Sequence, residues 1–150
     1  MTVDYTTLAS TTAALTEGET DAVALMATLA CEIHHADERF DWTGFYRVTE
    51  PGVLKIGPYQ GGHGCLVIPF ERGVCGACAG TGEAQLVDDV EAFPGHIACS
   101  TSTRSELVLP VRNAAGEVIA VLDIDSDRAG AFTKDDAEAL QAILDATFAA

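Results

Sequence analysis

Three consecutive segments decide the fold: Glu106-Leu-Val-Leu-Pro-Val-Arg112, Asn113-Ala-Ala-Gly116 and Val118-Ile-Ala-Val-Leu-Asp-Ile124. Two apolar runs separated by a short turn predict an antiparallel pair of strands. The second run is almost continuously apolar, which is typical of a central strand that is covered on both faces. The segments therefore predict the middle of a sheet with other elements packed on both of its sides.

Similar patterns predict the elements on either side of this pair. They are helices over residues 5–15, 21–33 and 73–82, strands over 42–49, 53–56 and 65–70, exposed loops over 58–64 and 90–105, and a final helix after Thr133. Strands joined as hairpins, with helices at both ends of the chain, indicate an α+β domain with a central antiparallel sheet flanked by helices. A length of 150 residues fits a single domain over residues 1–150.

The second helix carries the first of the five cysteines, Cys31. Free cysteine is usually a small buried residue, so we expect Cys31 in the core. The apolar face that we expect for this helix consists of Val23, Met26, Ala27 and Ala30.

The charge of the chain excludes several kinds of partner. Eight basic residues stand against 23 acidic ones, for a net charge of −15. Such a surface offers no basic footprint for nucleic acid or for an anionic membrane. No apolar run is long enough for a membrane span, and the N-terminus lacks the basic start of a secretory signal. We therefore expect a cytoplasmic location.

Four of the cysteines lie between Cys65 and Cys99. A reducing compartment does not use disulfides as structural staples, so this cluster favours redox, catalytic or metal chemistry. Zinc is one interpretation of the spacings Cys75-x-x-Cys78 and His96-x-x-Cys99, but it would leave Cys65 unexplained. We favour a redox use of the thiols and predict no metal ligand.

The cysteines differ in their surroundings. Cys99 lies in a polar loop, beside Ser100 and three residues after His96, where access and hydrogen bonding favour reactivity. Cys65 borders a glycine-rich loop, which would let it move towards a partner thiol. Cys78 lies between two alanines, and we interpret it as a buried, inert thiol.

Asp123 and Asp125 lie two residues apart at the end of the most apolar strand, so their side chains share one face. A solvated turn would explain them equally well. Glu106 opens the neighbouring strand, and the three acids together could form a pocket that binds an amine. Mutual repulsion would raise the pKa of one of them and hold a proton at neutral pH.

Six motifs in unbroken order, three of which carry a cysteine, resemble one known family. They are Gly57-Pro-Tyr-Gln-Gly61, Cys65-Leu-Val-Ile-Pro69, Arg72-Gly-Val-Cys-Gly76, Gly95-His-Ile-Ala-Cys99, Ser105-Glu-Leu-Val-Leu-Pro110 and Val121-Leu-Asp-Ile-Asp-Ser126. The chain resembles the free methionine-(R)-sulfoxide reductases, which are stand-alone GAF domains, from about Trp42 to Phe132.

The resemblance implies a redox cycle of thiols. Cys99 would attack the sulfoxide sulfur of free methionine sulfoxide and become a sulfenic acid, and Cys65 would resolve it by forming a disulfide. Thioredoxin would then reduce that disulfide, so reducing equivalents come from thioredoxin and no bound cofactor is expected. Cys75 matches an auxiliary thiol. The neighbouring Cys78 leaves open which thiol resolves first.

The resemblance also implies a binding site for the substrate. Glu106, Asp123 and Asp125 match substrate-binding carboxylates, and Trp42 and Tyr46 match an aromatic wall. We expect one acid, Glu106 or Asp123, to be protonated and to hydrogen-bond the sulfoxide oxygen, while an ionised partner binds the ammonium group. The alternative function is a sensory GAF module that binds a small ligand without catalysis. A homodimer is left open.

Overall fold

The centre of the molecule is a six-stranded antiparallel sheet, seen in a computed structural model that describes residues 3–149. Its strands are β1 (Trp42–Glu50), β2 (Val53–Gln60), β3 (Val67–Pro69), β4 (Gln85–Val87), β5 (Ser105–Arg112) and β6 (Val118–Ser126). Their order across the sheet is β3-β2-β1-β6-β5-β4. The predicted α+β class with a central antiparallel sheet is confirmed.

Four helices cover the two faces of this sheet. They are α1 (Tyr5–Leu15), α2 (Ala22–His34), α3 (Gly73–Thr81) and α4 (Lys134–Phe148), and a short 3₁₀ helix spans Val90–Ala92. Because successive strand residues point to opposite faces, Leu122 and Ile124 pack with α1, α2 and α4, while Val121 packs with α3. Among residues 3–149, no helix is long and apolar enough to cross a membrane.

The face that carries α1, α2 and α4 contains a buried ionic network around Asp136. Arg39 donates a hydrogen bond of 2.9 Å from Nη1 to Asp136, and the Tyr5 hydroxyl donates another of 2.7 Å. The backbone N–H of Thr133 donates a third, which completes the capping box at the start of α4. This network ties the first and last helices to the segment that precedes β1.

The buried face of α2 differs from the one that the sequence predicted. Val23 is 52% exposed, and Ala27 is exposed as well. Leu25, Leu29 and Ile33, spaced four residues apart, form the buried row instead because these larger side chains pack under the sheet. Met26 and Ala30 are buried as predicted.

Cys31 was predicted to lie in the core, and this prediction is wrong. It is half-buried, because it lies beside the row formed by Leu25, Leu29 and Ile33 rather than within it. Its Sγ is 3.9 Å from Nδ1 of His35, one turn further along.

The predicted exposed loop over 58–64 is shorter in the structure, because β2 continues to Gln60. Gly44 pairs with Tyr59 and Tyr46 with Ile56, so two residues of β2 stand opposite Phe45 of β1. This β-bulge accommodates Pro58, which cannot donate a ladder hydrogen bond. The strand predicted over 65–70 is likewise shorter, since β3 begins only at Val67, and β4 was not predicted.

Candidate active site

The sheet register brings the three predicted acids together on the face that α3 covers. In the register, Asp125 of β6 stands between Trp42 of β1 and Glu106 of β5. Asp123, two residues earlier in β6, shares their face and is paired with Gly44 and Val108. Like charges opposite each other on neighbouring strands destabilise a sheet. The stability of the sheet therefore does not explain why these acids lie together.

These acids are withdrawn from solvent with few hydrogen bonds. Glu106 is 6% exposed and Asp123 is 4% exposed, while Asp125 is half-buried. The Oδ1 atoms of Asp123 and Asp125 are both buried and have no hydrogen-bond partner among residues 3–149. The interpretation of this segment as a solvated turn is therefore wrong, because both aspartates lie within β6 and face inward.

Burial raises the pKa of Asp123 well above its ordinary value, and the neighbouring charges of Asp125 and Glu106 raise it further. Burial and the charge of Glu106 also raise the pKa of Asp125. Two carboxyls held this close titrate as a pair. The protonated form is favoured, and a protonated carboxyl can donate a hydrogen bond to a ligand oxygen.

Helix α3 places Cys75 against these acids. The Sγ of Cys75 lies 3.8 Å from Oε2 of Glu106, and the residue is buried. Burial raises the pKa of the Cys75 thiol, and the charges of Asp123 and Glu106 add to the effect. Burial also raises the pKa of Cys78 to about 12, in keeping with the inert thiol that the sequence indicated.

A disulfide joins Cys65 to Cys99, with their Cα atoms 5.3 Å apart. Cys65 lies just before β3, and Cys99 lies in the long loop that leads into β5. That loop is fixed to α3 by a hydrogen bond of 2.9 Å from the Gly73 N–H to the Gly95 carbonyl. Of the pairings that the sequence left open, the structure contains 65–99, and Cys75 and Cys78 are free thiols.

His96 lies on the same loop and faces the acids. Its Nε2 is 3.9 Å from Oε1 of Glu106. The sequence had suggested His96 as a neighbour of Cys99, three residues away, and as one member of a possible zinc pair with it. The structure adds a contact with the carboxylate cluster, which depends on how the loop folds back over the sheet.

The predicted residues meet around one inner cavity and the cleft beside it. Six of them line the cavity: Tyr46, Cys75, Cys99, Glu106, Asp123 and Asp125. Its volume is about 30 Å³, which is room for roughly two water molecules. Trp42 lines the cleft, and Cys99 and Asp125 belong to both spaces.

The aromatic wall is a stack of three rings. The Trp42 ring lies 5.8 Å from Tyr46 and 5.3 Å from Tyr59, nearly parallel to both. The indole N–H donates a hydrogen bond of 2.7 Å to the Gly62 carbonyl. A Cβ on Gly64 would lie 2.9 Å from both Trp42 and the Tyr46 hydroxyl, which is too close. Because glycine has no Cβ, the loop can lie directly against the rings.

One subset of the site could also hold a cation. Cys75, Glu106 and Asp123 each offer one ligand atom, and these three atoms lie within 4.8 Å of one another. The sequence suggested zinc only at pairs of cysteine and histidine. The combination of Cys75 with Glu106 and Asp123 could not be seen in it, because Cys75 and the two acids are far apart in the chain.

Comparison with known proteins places this fold and site in one class. A family model described as "GAF domain" matches residues 16–148. The free methionine-R-sulfoxide reductase of Escherichia coli is 40% identical, over 87% of this chain and 78% of that protein. The reduced form of fRMsr of Staphylococcus aureus superimposes with a TM-score of 0.93, at 35% identity, covering 98% of this chain and 94% of that one.

A third relative is the free methionine-R-sulfoxide reductase from Neisseria meningitidis, solved in complex with its substrate. It has a TM-score of 0.87 and 40% identity, covering 93% of this chain and 83% of that one. This chain therefore belongs to the GAF domain family and, within it, to the family of free methionine-(R)-sulfoxide reductases.

Proposed function

We propose that this protein reduces free L-methionine-(R)-sulfoxide to methionine. The observation that carries the proposal is a disulfide, Cys65–Cys99, beside a cavity in which buried carboxyl oxygens of Asp123 and Asp125 have no partner. A redox-active pair of thiols and a set of unpaired acids are the two parts that this reaction needs. The names of the relatives support the choice of substrate.

In the first step, the Cys99 thiolate attacks the sulfur of the sulfoxide. The sulfoxide oxygen passes to Cys99, so that methionine leaves and Cys99 becomes a sulfenic acid. The oxygen needs a proton as its bond to the substrate sulfur breaks. Asp123 is the proposed donor, because burial and the neighbouring acids favour its protonated form and because its Oδ1 has no hydrogen-bond partner among residues 3–149.

In the second step, the thiol of Cys65 attacks the sulfenic sulfur of Cys99. A disulfide forms and water leaves, and thioredoxin then reduces the disulfide by thiol exchange and becomes oxidised itself. Cys75 is the proposed auxiliary thiol, since its Sγ contacts Glu106 on the inner side of the cavity. No bound cofactor enters this cycle, because the electrons come from thioredoxin.

The acids would also recognise the amino-acid part of the substrate. The carboxyl groups of Glu106 and Asp125 are suited to bind the ammonium group, and Trp42 and Tyr46 offer flat apolar surfaces to the S-methyl group. The inner cavity has little free space when the disulfide is formed, enough for roughly two water molecules. We therefore propose that reduction frees the Cys99 loop and gives the substrate access to the acids.

We further propose that thioredoxin is the protein partner and that a reducing cytoplasmic compartment regenerates it. We also propose that the protein functions as one domain over residues 1–150. A homodimer is not required by this mechanism, because the residues of the proposed site all belong to one chain.

The test is NADPH oxidation coupled through thioredoxin and its reductase, with the R and S epimers of free methionine sulfoxide assayed separately. We expect turnover of the R epimer, much slower turnover of the S epimer, and little turnover of peptide-bound sulfoxide. Binding of the R epimer without turnover would instead support a sensory module.

Variants separate the roles of the cysteines. Cys99→Ser should lose turnover. Cys65→Ser should release one equivalent of methionine and then stop with thioredoxin, because its sulfenic acid is not resolved. The matched control is Cys78→Ser, which removes a buried thiol away from the disulfide and should cycle normally. Continued cycling of Cys65→Ser would transfer the resolving role to Cys75 or Cys78.

A further inference from the structure

Cys75, Glu106 and Asp123 form a donor set with the spacing of a metal site, and His96 lies at its edge. One ligand atom from each of the first three lies within 4.8 Å of the others, and Cys75 Sγ is 3.8 Å from Glu106 Oε2. His96 Nε2 is 3.9 Å from the other oxygen of Glu106. Atoms that coordinate a tetrahedral zinc ion at about 2.0–2.3 Å are separated from one another by distances similar to these. Small shifts of the side chains would therefore let them coordinate one zinc ion.

An independent observation also points to a ligand at this position. Asp123 is 4% exposed, and its Oδ1 is buried in the wall of the cavity without a hydrogen-bond partner among residues 3–149. A buried polar atom of this kind calls for a ligand. The residues lining the inner cavity include three acids but neither lysine nor arginine, so a bound cation would relieve their mutual repulsion.

We propose that a thiophilic divalent cation, zinc in the first instance, binds at Cys75, Glu106, Asp123 and His96. The thiolate of Cys75 distinguishes this site from one for calcium or magnesium, which prefer shells made only of oxygen ligands. A metal binds the thiolate form of cysteine, so binding releases the proton of the Cys75 thiol.

Zinc at this position would inhibit the reductase. The cation would occupy Asp123, which donates the proton in the proposed reaction, and it would fill the space beside the acids. Sulfoxide and zinc would therefore compete. This consequence rests on the proposed function, whereas the binding of zinc does not.

The disulfide form of the protein isolates the thiol to be tested. With Cys65 and Cys99 joined, the free thiols are Cys31, Cys75 and Cys78. Titration of this form with Co²⁺ should produce the near-ultraviolet sulfur-to-cobalt charge-transfer band, and one equivalent of Zn²⁺ should remove it. Cys75→Ser should abolish the band, whereas the matched variants Cys31→Ser and Cys78→Ser should keep it.

Calorimetry with Zn²⁺ alone gives the second readout. We expect one equivalent to bind the wild type, and Cys75→Ser or Asp123→Asn to weaken binding by more than about 100-fold, since even losing a group that only supports a ligand costs about 10–100-fold. Circular dichroism checks that the variants are folded. A cobalt–sulfur band that persists in Cys75→Ser, or unchanged zinc affinity in Asp123→Asn, would overturn the site.

The inhibition is tested separately in the thioredoxin-coupled assay. Zn²⁺ should raise the KM for the sulfoxide, and EDTA should restore the rate. Zinc binding without inhibition would retain the metal site and overturn its competition with the substrate. Absence of turnover without zinc would count against the proposed function and leave the cobalt result standing.

Discussion

Asp136 and Asp123 are equally buried, at 5% and 4% exposed, yet the two faces of the sheet treat them in opposite ways. Burial alone would raise the pKa of Asp136, but hydrogen bonds from Arg39 and Tyr5 bring it down to about 2. Burial raises the pKa of Asp123, and the nearby acids add to the rise. Partners, rather than burial, therefore separate a structural acid from a candidate functional one.

The difference has an energetic meaning. An acid surrounded by hydrogen-bond donors contributes to folding, whereas an acid whose buried oxygen has no partner costs folding free energy. Functional sites commonly retain such costs because ligand binding relieves them. Five predictions test the contrast, ordered by the size of the expected effect.

The largest effect is expected from Asp123→Asn on the chemical step. Loss of a general acid typically lowers a rate by about 10²–10⁴-fold, and we expect methionine release in a single turnover to slow by that order. The control is Asp145→Asn, which changes an exposed acid on α4. A normal rate in Asp123→Asn would remove this residue from the proton transfer.

Asp136→Ala should have a comparable effect on folding rather than on chemistry. It removes one of the two carboxylates that pair with the partly buried Arg39, which keeps Asp37, and it breaks the capping box of α4. We expect a cost of about 3 kcal/mol. Urea unfolding measures the loss. Turnover per folded molecule should match the wild type, and a drop in that turnover would show that the two faces are coupled.

Asp123→Asn should also stabilise the fold, by about 1 kcal/mol at pH 7. The pKa of Asp123 is raised in the folded state, so wild-type stability falls as pH rises from the ordinary value of 3.8 through the raised pKa. Asparagine removes this loss, and the gain should disappear below the ordinary pKa. Thermal unfolding from pH 3 to pH 8 measures it, with Asp145→Asn as the flat control.

The contribution of Asp136 should depend on pH with the opposite sign. Its pKa is lowered to about 2, so its stabilisation is present above 3.8 and is lost as pH falls towards 2. A gain from Asp123→Asn that grows as the pH is lowered would contradict the assignment of the two signs.

The smallest effect is expected from Tyr5→Phe, which removes one hydrogen bond to Asp136 and retains the ring. We expect a loss of about 1 kcal/mol in urea unfolding and no change in turnover. Tyr59→Phe is the comparison. It also removes a tyrosine hydroxyl, but from the partly exposed ring that stacks on Trp42 at the other face of the sheet. A loss above about 3 kcal/mol for Tyr5→Phe would mean that the ionic network depends on the hydroxyl.

Much of the carboxyl site could be predicted, because it depends on local rules. The two-residue period of a strand places Asp123 and Asp125 on one face, and the hairpin that links β5 to β6 brings Glu106 opposite Asp125. Both statements need only the strand pattern and the connecting turn.

The partners of Asp136 could not be predicted in the same way. Arg39 and Tyr5 stand 97 and 131 residues away in the sequence, and only the packing of α1 and α4 brings them together. The contact between His96 and Glu106 likewise depends on a long loop that folds back over the sheet. Periodicity carries no information about such contacts.

Misleading local signals explain the errors. Pro58 and the glycines that follow it suggested a loop from residue 58, whereas a bulge keeps Pro58 within β2. Three-residue β4 is too short for a pattern to show. For α2, the predicted face gave small side chains the same weight as large ones. Leu25 and Leu29 determine which side of the helix is buried.

The most direct test of this contrast is an NMR titration of the carboxyl carbons in aspartate-labelled, disulfide-form protein, with Asp123→Asn and Asp136→Asn used for assignment. We expect the Asp136 signal to titrate near pH 2, below the ordinary range, and the Asp123 signal to titrate above that range. If both signals titrate together at the ordinary value of an aspartate, the contrast between the two faces is wrong, and with it the role of Asp123 as proton donor.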